Sequence, residues 1–400
     1  MAVTPAPMAD RNGVVDNTPD SILQARMARP VAGSTRQGEN PVLFLVGNST
    51  MRTGTKGNGS NGQWGWGYFF PELFDRNQIT VENHALGGMS TRTFYNKLWG
   101  DVISGVRPGD YVIIELGHND NGPYDEGRAR ASIPGIGRDS LNVVIKETGE
   151  RETVYSYGEY LRRYVNDVRE HGGEALLLSL TPRLAYDAAD TMRIERVAET
   201  YGRWAREVAD EMGVAFIDLN EISARKYERF GREKTAMMFY LDKIHTSELG
   251  ARENALSAAE GLIAAGHPLA GMLKPLPRGM ERPEGRVRFI VGNDIDGCTP
   301  PSEPGVTTID CRASDCGPRE YIDSGRWEKV YRALREGDVV EMHFTSGSGD
   351  EELLPDEESR VIKEAGTGRY KVVYPRRKYL RLMTLEANEM GAKVVAGRRH

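Results

Sequence analysis

Short apolar runs recur along the first two-thirds of the chain, and they predict the strands of a sheet. A continuous apolar run bounded by turn residues is typical of a parallel strand that is buried on both faces. Segments with helical spacing lie between the later runs, at 160–170 and 194–212, and another helix is expected at 253–264. Strands that alternate with helices predict a three-layer α/β/α sandwich with a five-stranded parallel sheet. The predicted strands are 41–47, 79–83, 111–116, 175–180 and 214–218.

Four short motifs stand where ligand-binding loops are expected in such a fold. The first three follow predicted strand ends, and the fourth lies in a loop before the last helix. Ligands bind outside the carboxyl ends of the strands in open α/β sheets. We therefore expect the motifs to converge at one edge of the sheet. They are Gly47-Asn48-Ser49-Thr50, Gly87-Gly88-Met89-Ser90, Gly117-His118-Asn119-Asp120 and Asp242-Lys243-Ile244-His245.

These motifs contain the groups that a serine esterase requires. A serine hydroxyl becomes an effective nucleophile when a base accepts its proton, and His245 is the candidate base for Ser49. Asp242 is three residues away and can orient the imidazole. The backbone N–H groups of Ser49 and Gly88 and the side-chain amide of Asn119 are candidate donors to an oxyanion. This chemistry requires no metal or organic cofactor.

The motifs resemble those of the GDSL/SGNH hydrolases, and their context is similar to that of the rhamnogalacturonan acetylesterases. The resemblance covers roughly residues 41–267, including 83–94 and the segment 107–112 that leads into the third motif. It implies a flavodoxin-like fold and a Ser-His-Asp mechanism with an acyl-enzyme intermediate. It also implies an acetylated carbohydrate as substrate, of the pectic rhamnogalacturonan type.

One position departs from the family pattern. The usual Gly-Asp-Ser is Gly-Asn-Ser here, with Asn48 in place of the aspartate. Asparagine keeps one carbonyl acceptor for hydrogen bonds within the loop but removes a negative charge beside the nucleophile. We expect activity to survive this replacement.

Residues that could contact a substrate have structural alternatives. Trp64 and Trp66 lie in a glycine-rich loop and could stack on sugar rings, or they could pack beneath that loop. Arg92 and Arg183 could pair with carboxylates of an acidic polysaccharide, although structural ion pairing is favoured for Arg183. His118 could touch the substrate or pack the loops. The alternative function is a non-catalytic carbohydrate-binding or scaffold protein.

Composition limits the other function classes. The 400 residues suggest more than one domain, and 39% of them are hydrophobic. A net charge of −6 gives no basic surface for nucleic acid. No apolar run is long enough for a transmembrane helix, so we expect no membrane partner. Residues 1–40 are expected to form a disordered or loosely packed extension without a signal peptide, although the resembling family is commonly secreted.

The last third of the chain has the pattern of an internal repeat. Residues 41–268 form the predicted catalytic domain, 269–286 a proline-rich linker, and 287–400 a degenerate and incomplete copy of the same fold. In this copy Asp294, Cys316 and Gly347 occupy the positions of Ser49, Gly88 and Asn119. The copy holds four of five expected strands. Because an open sheet edge favours pairing, we expect docking on the first domain or self-association.

Overall fold

The computed structural model describes residues 19–295, 303–314, 316–345, 358–364 and 366–396. These residues form two compact units. Unit 1 contains the described residues up to Lys274 together with Lys363–Lys371, and unit 2 contains the described parts of 275–362 and of 372–400. The division after Lys274 falls inside the predicted linker 269–286.

Unit 1 is built on a five-stranded parallel sheet, as predicted. Its order is β2-β1-β3-β6-β7, and all four strand pairs are parallel. Strands β4 and β5 form a separate antiparallel hairpin. The strands are β1 (Val42–Gly47), β2 (Thr80–Asn83), β3 (Tyr111–Glu115), β4 (Ser140–Val144), β5 (Arg151–Tyr155), β6 (Glu174–Leu178) and β7 (Ala215–Ile217).

Helices cover this sheet. They are α1 (Pro19–Met27), α2 (Thr91–Phe94), α3 (Gly100–Ile103), α4 (Tyr157–Glu170), α5 (Tyr201–Met212), α6 (Leu219–Met237) and α7 (Glu248–Ala264). A π-helical turn, Tyr95–Trp99, joins α2 to α3. Alternate β1 side chains such as Phe44 pack in one core cluster with α4 and α5. Leu43 and Leu45 point to the opposite face of the strand and are also fully buried.

All three predicted helices differ from the observed ones at their starts, and the helix predicted at 160–170 begins three residues early, at Tyr157. The segment 194–212 becomes helical only at Tyr201, because polar contacts hold its first residues in an irregular conformation. There the Ile194 N–H donates to Glu228, and the Arg196 guanidinium pairs with Glu221 and Glu228. The last helix begins five residues early, at Glu248, with Ser247 as its N-cap in an extended conformation.

The prediction of a disordered or loosely packed N-terminal extension is wrong for residues 19–40. Pro19–Met27 is helical, and the following segment is tied to the sheet. Arg36 Nη2 lies 2.5 Å from Oδ2 of the buried Asp110. The N–H groups of Gly33 and Thr35 donate to the buried Glu82 at 2.9 and 2.8 Å. Residues 1–18 lie outside the described part of the chain.

Unit 2 contains a second parallel sheet, which has four strands. Its order is β13-β10-β8-β9. The strands of this sheet are β8 (Arg286–Gly292), β9 (Val306–Asp310), β10 (Val339–His343) and β13 (Lys393–Ala396). A separate two-stranded sheet consists of β11 (Arg360–Lys363) and β12 (Tyr370–Val373). The last residue of β11 and the first two residues of β12 are assigned to unit 1. The helices of unit 2 are α8 (Pro318–Asp323), α9 (Arg326–Tyr331) and α10 (Arg376–Glu389).

Across the described ranges of both units, no helix combines the length and apolar character that crossing a membrane requires.

Candidate active site

Ser49 lies two residues after β1 and faces the imidazole of His245. Its Oγ is 2.8 Å from His245 Nε2. The chain turns sharply here and brings the Met51 side chain close to the backbone of Gly47. A Cβ atom at Gly47 would lie only 2.7 Å from Met51 Sδ. Only a residue without a side chain fits at position 47 without movement of Met51. The turn therefore holds Ser49 at the carboxyl end of β1, within reach of a base.

Asp242 makes three hydrogen bonds within the short loop that carries His245, two of them to His245 itself. Its Oδ2 is 2.7 Å from His245 Nδ1. Its Oδ1 accepts from the N–H groups of Ile244 and His245, each at 2.7 Å. Burial opposes the charge of this carboxylate, but these bonds and the nearby imidazole outweigh burial and lower the pKa of Asp242 to about 2. The ionised carboxylate accepts the Nδ1 proton, which leaves the Nε2 lone pair directed at Ser49.

Gln63 is a further support for this pair that the sequence analysis missed. Its Nε2 donates to Asp242 Oδ2 at 3.0 Å and to Tyr240 O at 2.9 Å. The residue lies in the glycine-rich loop, where only the aromatic side chains attracted attention. A single polar residue in such a loop carries no signal of its partner 179 positions away.

The backbone beside Ser49 presents two unused donors. Within the described residues, the N–H groups of Ser49 and Gly88 donate to no protein acceptor. Gly88 has a φ angle of +80°, in the left-handed region that favours glycine. Asn119 Nδ2 donates one hydrogen bond, to Met89 O at 2.9 Å. The second amide hydrogen of Asn119 has no described acceptor.

Glu115, at the end of β3, is a fully buried carboxyl group next to the nucleophile loop. It accepts from Trp66 Nε1 at 3.1 Å and from the Thr181 N–H at 3.2 Å, and Thr50 Oγ1 lies 3.2 Å from both carboxyl oxygens. Burial outweighs these bonds and raises the pKa of Glu115 to about 7. The sequence analysis read this residue only as part of a strand.

Asn48, which replaces the usual aspartate, is also fully buried. Its Oδ1 accepts from the N–H and the hydroxyl of Thr50, both at 3.0 Å. Its Nδ2 has no hydrogen-bond partner among the described residues. The carbonyl therefore performs the local structural role, as expected for an asparagine at this position. The buried carboxyl of this region is supplied by Glu115.

Asp120 closes the loop that follows the third motif. It accepts from the N–H of Thr91 at 3.1 Å, from the Thr91 hydroxyl, and from Ser132 Oγ at 2.8 Å. Burial exceeds the effect of these bonds and raises the pKa of Asp120 to about 6. Asp120 therefore links the start of α2 to Ser132, at the far end of the segment 120–132.

Trp64 and Trp66 do not face solvent, so the prediction that they stack on sugar rings is wrong. Their exposed fractions are 1% and 0%. Trp64 packs against Tyr68 and Phe69, and Trp66 donates to Glu115 and contacts Phe70. The alternative holds, since both aromatic rings pack beneath the loop. Burial of such large apolar surfaces stabilises the fold more than exposure on a loop would.

Arg92 and His118 are also buried, which contradicts their predicted contacts with substrate. Arg92 is fully buried and forms a bidentate pair with Glu152, with both contacts at 2.7 Å. The side chain of His118 is 4% exposed and lies 3.2 Å from Thr181 Oγ1. Burial, followed by the charges of Arg183 and His245, lowers the pKa of His118 to about 3. Arg183 is exposed and has no carboxylate partner among the described residues.

Residues 45–253 match the model of the GDSL-like lipase/acylhydrolase family, which covers just over half of the chain. The protein therefore belongs to this family, and it is a carboxylic ester hydrolase.

Individual proteins are also similar to this chain. A rhamnogalacturonan acetylesterase of Emericella nidulans is 26% identical over 232 residues, which cover 58% of this chain and 88% of the relative. The rhamnogalacturonan acetylesterase RhgT of Bacillus subtilis is 28% identical over 243 residues, 57% of this chain and 91% of the relative. The crystal structure of Bacillus subtilis YxiM is 24% identical and covers 57% of each chain, with a TM-score of 0.46.

Proposed function

We propose that the protein removes O-acetyl groups from a carbohydrate by a Ser-His-Asp mechanism. The observation that carries this proposal is the hydrogen-bonded series Ser49 Oγ, His245 Nε2, His245 Nδ1 and Asp242 Oδ2, with distances of 2.8 and 2.7 Å at its two junctions. Ser49 is half-buried, so a small acyl group can reach its hydroxyl.

In the first half of the reaction, Ser49 Oγ attacks the acetyl carbonyl carbon while His245 Nε2 accepts the hydroxyl proton. The carbonyl oxygen becomes an oxyanion next to the unused N–H groups of Ser49 and Gly88 and the amide of Asn119. Each such donor contributes about 3–4 kcal/mol to transition-state stabilisation. His245 then returns the proton to the departing sugar oxygen, and an acetyl-serine ester remains.

In the second half, water attacks the acetyl-serine ester while His245 Nε2 accepts a proton from the water. The same donors receive the second oxyanion. Ser49 leaves as the acyl C–O bond breaks, takes back the proton from His245, and acetate is released. Because Asp242 stays ionised, it stabilises the imidazolium in both halves.

The substrate class is supported by the relatives. Two of them are named rhamnogalacturonan acetylesterases, and one solved neighbour is named an acetylxylan esterase. We propose that the natural substrate is an acetylated pectic polysaccharide of the rhamnogalacturonan type. Acetate release from acetylated rhamnogalacturonan should therefore exceed release from acetylated xylan or a lipid ester at equal acetyl concentration.

The mechanism is tested with Ser49→Ala, and the exposed Ser104→Ala serves as the matched control. We expect Ser49→Ala to lower kcat on p-nitrophenyl acetate and on the polysaccharide by a factor on the order of 10⁴ to 10⁶. Ser104→Ala should retain wild-type turnover. If Ser49→Ala turned over either ester at the wild-type rate, Ser49 would not be the nucleophile.

For unit 2, we propose that it is a degenerate copy of unit 1. Its strand order corresponds to that of β2-β1-β3-β6. Asp338 pairs with Arg282 and accepts from the Val287 N–H, as Asp110 pairs with Arg36 and accepts from the Val42 N–H. The Tyr374 N–H donates to the Tyr379 hydroxyl at 3.0 Å, as Tyr155 does to Tyr160 at 3.3 Å.

Among the described residues of the proposed copy, the active-site positions carry other residues. Asp294 and Cys316 stand at the positions of Ser49 and Gly88, and Gly347 lies outside the described residues. We therefore assign all ester hydrolysis to unit 1, so a complete loss of turnover in Ser49→Ala also supports this assignment.

Self-association through an open edge of the second sheet remains a proposal, which light scattering of the purified protein tests.

A further inference from the structure

Two arginine side chains converge on the glycine that carries one of the unused donors. Arg128 Nη1 and Arg130 Nη1 lie 3.4 and 3.8 Å from the position that a Cβ atom at Gly88 would occupy. Arg130 Nη1 also donates to Gly88 O at 3.3 Å. Both Nη1 atoms therefore lie close to one point beside Gly88. One carboxylate near that point can accept a hydrogen bond from each guanidinium group.

Within the described ranges, neither guanidinium forms a hydrogen bond or an ion pair with a carboxylate, although Asp120 acts on Arg130 electrostatically. Arg128 is exposed, whereas Arg130 is partly buried. Burial and then the charge of Arg128 lower the pKa of Arg130, and the nearby charge of Asp120 opposes this shift. Ala129 between them has a φ angle of +42°, an unfavourable value for a residue with a side chain. Such conformations persist where the surrounding structure imposes them, often at binding sites.

The loop that carries these arginines is fixed at both ends. Arg92 Nη1 donates to Tyr124 O at 2.9 Å and to Ala131 O at 3.1 Å. The Ser132 N–H donates to Asp120 O at 3.0 Å. These contacts hold the backbone on either side of both arginines, so little ordering is needed when a ligand binds.

A third arginine adds positive charge to the same region. Arg183 is exposed, lacks a described carboxylate partner, and acts electrostatically on His118, the neighbour of Asn119. The positive charges lie beside the donors that face the ester carbonyl. A substrate that carries a negative charge near its acetyl group would be attracted to this edge of the site.

We propose that Arg128 and Arg130 form a carboxylate-binding subsite that selects acetyl esters on polysaccharides containing uronic acid. This inference rests on the proposed function. It assigns to these two residues the recognition of a uronate on the acetylated ring or its neighbour, whose carboxylate would accept hydrogen bonds from both guanidinium groups. Guanidinium groups suit this role because their planar N–H donors match the geometry of a carboxylate.

The test compares two substrates that differ only in the carboxylate. One is a partly acetylated oligogalacturonide, and the other is its methyl ester; the readout is kcat/KM for acetate release. We expect the wild type to favour the acid form by about tenfold or more. Arg128→Gln should lower this ratio to about one, and Arg128→Lys should give an intermediate ratio because lysine keeps the charge but not the planar donors.

The matched control is Arg151→Gln, an exposed arginine on β5, which should keep the wild-type ratio. Arg130→Gln should also lower the ratio; an equal loss of kcat on both substrates would instead limit Arg130 to positioning Gly88. Equal wild-type kcat/KM for the acid and the methyl ester would overturn the subsite but leave the proposed esterase intact. If neither the acid nor the methyl ester released acetate while p-nitrophenyl acetate did, the subsite would be overturned, and acetate release from acetylated rhamnogalacturonan would then decide the proposed carbohydrate substrate.

Discussion

Replacing Glu115 with glutamine should change how the stability of this protein depends on pH. The side chain is fully buried behind the nucleophile loop and contacts Trp66, Thr50 and Thr181. Burial raises its pKa from 4.5 to about 7, because the charged form loses more hydration than its hydrogen-bond donors restore. Between about pH 4.5 and pH 7 the folded protein therefore holds a proton on this group that the unfolded chain releases.

The sign and size of the effect follow from this difference. Since the folded-state pKa is the higher one, Glu115 contributes stability that is fully present below about pH 4.5 and is lost as the pH rises through about 7. A difference of one pKa unit between the folded and the unfolded state corresponds to about 1.4 kcal/mol. The free energy of unfolding should thus fall by about 3 kcal/mol across this window on account of Glu115 alone.

The assay is urea unfolding followed by tryptophan fluorescence from about pH 4 to pH 8.5. The pKa values of Asp120, His84 and His118 are also shifted by burial, so the informative quantity is the difference between variant and wild type. Glu115→Gln should gain about 3 kcal/mol on the wild type as the pH rises, whereas the exposed control Glu150→Gln should show a constant difference. The variant also carries a pH-independent cost, because glutamine offers one oxygen to two N–H donors. A difference between Glu115→Gln and wild type that does not vary with pH would refute the reasoning.

Two further substitutions test the hydrogen bonds around the catalytic groups. Asn48→Asp keeps the local acceptor but places a second buried acid near Glu115; kcat/KM on an acetyl ester should stay within about tenfold of wild type, with lower stability above neutral pH. A hundredfold gain, about 2.7 kcal/mol, would show instead that the natural asparagine is a crippling substitution. Gln63→Leu removes a donor to Asp242 and should lower kcat about tenfold without changing KM. The control variant Gln78→Leu, at an exposed position, should keep the wild-type kcat. An unchanged kcat in Gln63→Leu would mean that this hydrogen bond does not hold the aspartate.

The strands and the order of the motifs could be predicted because their signals are local. The run 41–47 is apolar at nearly every position, and a strand covered on both faces requires such a run. Ser49 could be placed at the strand end by counting along the chain. Asp242 and His245 could be paired because three residues separate them, and the observed loop closes with both backbone N–H bonds on Asp242 Oδ1.

The buried polar groups could not be predicted because their environment comes from distant parts of the chain. Glu115 appears in the sequence as one polar residue in an apolar strand. Its partners Trp66 and Thr181 are 49 and 66 positions away. The burial of Trp64 likewise depends on packing with Tyr68 and Phe69 inside a loop of uniform glycine-rich composition. Whether an aromatic ring in such a loop faces the core or the solvent is decided only by tertiary packing.

Arg92 illustrates the same limit in a way that bears on specificity. Guanidinium–carboxylate pairing was the correct chemistry to expect of it, but its carboxylate is Glu152 of the protein itself. The remaining donor of this buried side chain, Nη1, binds two carbonyl groups at the ends of the loop 124–131. Each guanidinium nitrogen of Arg92 already donates to an acceptor within the protein, so this side chain cannot bind a substrate. Arg128, on the loop that Arg92 fixes, retains unused donors. Arg92 is therefore a positioning residue, and in the proposed subsite the recognition first attributed to it falls to Arg128 and Arg130, whose backbone it holds.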